Sequence, residues 1–111
     1  MAENDPDLPL QALEAAVFRR LAQHLRQRQD APNIELMALA GFCRNCLSEW
    51  LEEASIEAGT PLSREDARTH VYGEPYAAFK ARQPEATADQ LTRMTASLAE
   101  NARVRALAQE V

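Results

Sequence analysis

The chain is short of several things at once. It has three glycines, two cysteines, two histidines and six aromatic side chains in 111 residues. Glycines as scattered as Gly41, Gly59 and Gly73 cannot build a phosphate-cradling loop. Two cysteines cannot complete a tetrahedral zinc site alone, and a reducing compartment leaves them unbridged. No apolar run reaches the ~20 residues that a membrane-spanning helix needs. The opening MAENDPDLPL is acidic where a secretory signal is basic, so we expect a cytoplasmic protein. Positive charge is scarce as well: 12 Lys and Arg stand against 17 Asp and Glu, a net charge of -5. A field of that sign repels phosphate backbones and anionic lipid. We expect neither a nucleic-acid nor a membrane partner.

What is present reads as helix. Ala and Leu are abundant, no stretch sustains the period-two alternation of a half-buried strand, and all six prolines fall at breaks between helical patterns. The fold class expected is all-α, a compact bundle of four to five helices in one domain. Residues 1–9 read as a disordered acidic N-terminus, 10–85 as the helical core and 86–111 as a C-terminal helix. The first pattern carries Leu10, Leu13, Val17, Leu21 and Leu25 at spacings of three and four. After a turn in which Asn33 is the expected N-cap, a long pattern runs to Ala58, with Leu36, Cys43, Leu47 and Trp50 in its stripe. Ser63 with Asp66, and Thr87 with Gln90, form capping boxes for later helices, and Pro75 suits the first turn of a short one between them. Leu13, Val17, Leu21, Leu36, Cys43, Leu47, Trp50 and Val71 are the expected core. The last helix has the thinnest stripe, Leu91 to Ala102, which marks it as the weakest element or an oligomer contact.

GFCRNCL, residues 41–47, is the stretch with chemical character. On one continuous helix Cys43 lies within the apolar stripe, Cys46 at its edge beside Glu49 and Glu53, and Arg44 and Asn45 face solvent, so the thiols are inert and structural. Gly41 disturbs that picture, because on the same wheel it faces outward. If the helix breaks there, Cys43 gains the free N–H groups and positive dipole of a new helix N-terminus, with Arg44 adjacent. Both geometries are open. A metal site would need His24, His70, a carboxylate or a second chain to complete CxxC.

Other groupings are weaker. Glu49, Glu52, Glu53 and Glu57 form an acidic run, read as a solvated helix face or, functionally, as a docking face for a basic partner. Tyr72, Tyr76 and Phe79 fill a core or mark a partner site. The outline from Leu62 to Arg82 resembles a nucleic-acid-reading helix pair but carries too few cations, Lys80 and Arg82, to hold a phosphate backbone. No serine, histidine and acid set has recognisable context, and we assign no catalytic residue.

The segments ALEAAVFRRLAQHLRQR, NIELMALAGFCRNCLSEW and VYGEPYAAFKA together resemble a bacterial family of short proteins, domain of unknown function family 1244, over roughly residues 10–85. The resemblance implies an all-helical single domain and brings no activity, substrate or cofactor with it. Two positions depart from the family pattern, Leu51 after Trp50 and Glu74 after Gly73, where the family tends to carry Tyr and Met. The function expected is a non-enzymatic helical interaction module acting through a protein partner or self-association, without cofactor. Its candidate surface is Glu49, Glu53, Glu57, Tyr72, Tyr76 and Phe79. The alternative is a thiol-redox or zinc-binding protein using Cys43 and Cys46 with His24 or His70.

Overall fold

A computed structural model describes residues 8–109. Six helices follow one another: α1 Leu8–Gln27, α2 Asn33–Ala40, α3 Arg44–Glu57, α4 Arg64–Tyr72, α5 Tyr76–Ala81 and α6 Ala88–Gln109. Among the described residues there is no strand, and the all-α class holds. Most of the expected acidic tail, residues 1–7, lies outside the described residues; helix α1 already takes in residues 8 and 9. None of these helices is long and apolar enough to cross a membrane.

The count exceeds four to five because the long second pattern is two helices. Gly41 ends α2 in the left-handed region, φ 74°, with its N–H donating to Met37 O at 2.9 Å. A side chain rarely adopts that conformation, and a Cβ would also meet Asn101 Oδ1 at 2.3 Å. The helix therefore breaks at Gly41, and a close approach of α6 needs the glycine as well. Asn101 Nδ2 donates to the Gly41 carbonyl at 2.8 Å, tying α6 to the break.

The Thr87–Gln90 box is complete, with both bonds exchanged, and at Ser63 one half of the box forms, Asp66 N donating to Ser63 Oγ. Two N-termini differ from expectation. Pro32 and not Asn33 precedes α2, which frees the Asn33 side chain for other partners, and Pro75 sits one residue before α5 instead of inside its first turn.

The core is Leu25, Leu47, Val71, Tyr72 and Phe79, one cluster drawn from α1, α3, α4 and α5. Leu21 and Leu36 are half-buried and pack against it. Leu13 and Val17 were expected inside but are 63% and 67% exposed, and Trp50 is 47% exposed. The reason is that the sole helix α1 packs against extensively is α4. Burial on α1 is confined to Ala22 and Leu25 near its C-terminus, and the N-terminal part of the same stripe, Leu10 to Val17, is left uncovered. Helix α6 packs along α2 and has no buried residue.

Candidate functional site

At the break Cys43 is the extended N-cap residue of α3, φ -149°, so the interrupted geometry is the one realised. The expected consequence, an activated thiolate, does not follow. Cys43 is 6% exposed, and burial drives its pKa up from the ordinary 9.0. The neighbouring N–H groups of Cys46 and Asn45 pull the other way without prevailing. Cys46 is half-buried, its sulfur 3.9 Å from Met37 Sδ. Both thiols are free.

Arg44 departs furthest from expectation. Placed on solvent by a continuous helix, it is 1% exposed, because starting a new helix at Arg44 turns it inward. Its Nη2 donates to Leu25 O at 2.8 Å and Arg28 O at 2.9 Å, and Nη1 to Ala31 O at 2.8 Å and Asn33 Oδ1 at 3.0 Å. Leu25 O belongs to the last turn of α1, whose carbonyls have no partner within the helix and sit at its negative pole, and Arg28 O, just past that end, also accepts from Ala31 N at 3.1 Å. The guanidinium also lies 5.4 Å from the Phe79 ring centroid. Burial pulls its pKa below the ordinary 12.5. Arg26 closes α4 in a similar way, donating to the His70 and Val71 carbonyls.

From Arg44 a polar chain runs outward. A guanidinium only donates, so the Asn33 oxygen must face it, and Asn33 Nδ2 donates to Tyr72 Oη at 3.0 Å. The single Tyr72 proton is then directed to Asn45 Oδ1 at 2.8 Å. Burial raises the Tyr72 pKa, keeping that proton in place. Beside this chain opens a cleft of about 300 Å³, lined by Cys43, Asn33 and Asn45, by Ile34 and Met37 of α2, by Tyr76, Phe79 and Lys80 of α5, and by Met94 of α6.

The other expected site residues do not gather here. His24 and His70 are exposed; the latter borders a separate recess with Arg19 and Arg26. Among the described residues no three of His, Cys, Asp and Glu come together to hold a metal ion. Tyr72 and Phe79, offered as interaction surface, are buried, and Tyr76 is half-buried against Tyr72. Their rings pack together, 4.6 Å between Tyr72 and Phe79 centroids, so they serve the core. Glu49, Glu53 and Glu57 are exposed along α3 as expected. Sequence reasoning missed Arg44, Asn33 and Asn45 as a connected set; the signal that could have found them was Gly41, since a break there re-aims everything after it.

The family model for a protein of unknown function (DUF1244) matches residues 31–96, more than half of the chain. The chain belongs to this family. The matched range takes in the break, both cysteines, the cleft and the first turns of α6, whereas α1 lies outside it. The resemblance read over roughly residues 10–85 overlaps this match from residue 31 to residue 85. No curated protein matches the chain. In this family member a second exposed feature lies away from the break. Phe18, Leu47, Trp50, Leu51 and Ala54 line a shallow recess of about 290 Å³ whose exposed surface is entirely apolar. Phe42 stacks on Trp50 at 6.3 Å between centroids.

Proposed function

We propose that this protein is a non-enzymatic helical interaction module of the cytoplasm that pairs with a second copy of itself through the α1–α3 face. The observation that carries the reading is the exposure of Leu10, Leu13 and Val17 on α1 together with Trp50 at its apolar recess on α3. Large apolar side chains grouped on one face mark contact surfaces. Charge favours self-pairing: exposed Arg19 and Arg20 flank the α1 row, and exposed Glu49, Glu53 and Glu57 run along α3. A two-fold arrangement laying α1 of each copy on α3 of the other would set these opposite charges together.

Sedimentation equilibrium tests the reading. The native chain is expected to dimerise with concentration, and the Leu13→Glu, Val17→Glu double variant to remain monomeric with unchanged helicity. A native chain that stays monomeric throughout, or a dimer that survives this variant but not Leu98→Glu on α6, overturns it.

The alternative, thiol or zinc chemistry, is favoured by the meeting of Cys43 and Cys46 at a helix N-terminus. Burial of Cys43 and its raised pKa weigh against it, because metal and oxidant both need the thiolate. One zinc per chain or per dimer in freshly purified protein would reverse that balance.

A further inference from the structure

We propose that the cleft beside Cys43 binds a small apolar molecule bearing a carboxylate. The polarity of the hydrogen-bond chain dictates the ligand. Arg44 fixes the Asn33 amide, Asn33 directs the Tyr72 hydroxyl, and Tyr72 donates to Asn45 Oδ1. The orientation of Asn45 is thereby determined, and its Nδ2 is left with two protons and no acceptor among the described residues. Asn45 lines the cleft, so a fixed donor is available there. The wall adds Lys80, its one charged residue, and no Asp or Glu, in a chain with 17 of them. Ile34, Met37 and Phe79 supply apolar wall for the body of the ligand. A concave, mainly apolar site with a few convergent polar groups is what a small-molecule pocket requires, and here the polar groups that are fixed or charged donate. A carboxylate accepts from both an amide and an ammonium, and such charge-assisted bonds are the stronger kind.

The test uses 3-phenylpropionate as probe, 3-phenyl-1-propanol as its neutral counterpart, and ¹H–¹⁵N spectra of the full chain. The acid is expected to bind saturably, shifting the Asn45 side-chain amide and the α5 backbone, and the alcohol to bind at least roughly tenfold more weakly. Asn45→Asp keeps an acceptor for Tyr72 while removing the donor, and is expected to weaken acid binding by roughly tenfold or more. Lys80→Glu, an exposed change that leaves the core untouched, is expected to weaken it several-fold and decides the matter should the first variant fail to fold. Equal binding of acid and alcohol, no saturation by the acid at ~10 mM, Lys80→Glu binding like the parent, or shifts confined to the Trp50 recess would each overturn the proposal. None of these outcomes depends on dimerisation, since the probe site and the α1–α3 face share no residue.

Discussion

The C-terminal end of α1 and the residue just past it give the Leu25 and Arg28 carbonyls to a buried guanidinium, whereas the N-terminal half of the same helix leaves Leu10, Leu13 and Val17 exposed. One end is held by the four hydrogen bonds of a guanidinium whose Nε alone is left without a partner, and the other has apolar surface with no cover among the described residues. The contrast separates two kinds of information in a sequence. An apolar stripe says that a helix wants a partner, without saying whether the partner is in the same chain. A buried arginine among carbonyls fixes which elements meet and in what geometry, and the order of α1, α2 and α3 around Arg44 follows from it.

The largest expected effect breaks the satisfied end. Arg44→Met leaves the Leu25 and Ala31 carbonyls and Asn33 Oδ1 without their donor, Arg28 O keeping Ala31 N, and is expected to cost ~3–5 kcal/mol, since removing a buried charged donor strands its partners. In a domain worth 5–15 kcal/mol that is a large share. Urea denaturation measures it directly. A loss under ~1 kcal/mol would mean that the carbonyls find water easily and that the comparison has no energetic content.

Next comes Gly41→Ala, expected at ~2–3 kcal/mol: about 1–2 for a side chain in the left-handed region, and about 1 for displacing Asn101 from the Gly41 carbonyl. Asn101→Ala alone should cost ~1 kcal/mol, and the double variant should be less than additive because the clash is gone. Strict additivity would show that Asn101 and Gly41 are not in contact.

These two residues also explain what the sequence made legible. Helix class, the caps at Ser63 and Thr87, and the helix end at Gly73 are local chemistry and can be read from neighbours. The inward turn of Arg44 cannot, because it depends on whether the helix breaks at Gly41, and a wheel drawn through the break misplaces Arg44 and Asn45. The placement of Trp50, Leu13 and Val17 fails for a different reason. Periodicity assigns them correctly to an apolar stripe, and only the packing of α1 on α4 decides that this part of the stripe stays uncovered.

At the exposed end the effects shrink. Trp50 is about half exposed, so Trp50→Ala should cost about 2 kcal/mol in the monomer, well short of the roughly 3–5 of a fully buried ring. Leu13→Ser and Val17→Ser should stay within about 0.5 kcal/mol in dilute solution. At high protein concentration all three should become more destabilising, because the dimer they weaken is then populated. Concentration-independent melts of parent and variants alike would remove the face from consideration as an interface.

The smallest effect concerns the thiols, and it asks whether Cys43 shares the protection of Arg44. A thiol whose pKa is raised on folding favours the neutral form in the native state. Its contribution is therefore intact below the unfolded value of 9.0 and is lost as pH rises through the higher folded value. Tyr72, also raised by burial, adds a loss of the same sign above its ordinary 10.0. Stability should thus be flat near neutrality and fall above about pH 9, and Cys43→Ser should flatten the first part of that fall. Alkylation gives the matching kinetic measurement. Cys46, half-buried, should react first, and Cys43 only through opening of the fold, so that its rate rises in Arg44→Met by about tenfold for each ~1.4 kcal/mol of lost stability. If Cys43 instead reacts in the native protein at about pH 7 as fast as Cys46, then the break at Gly41 exposes the sulfur after all. The end of α1 that looks closed would then be the end that does chemistry.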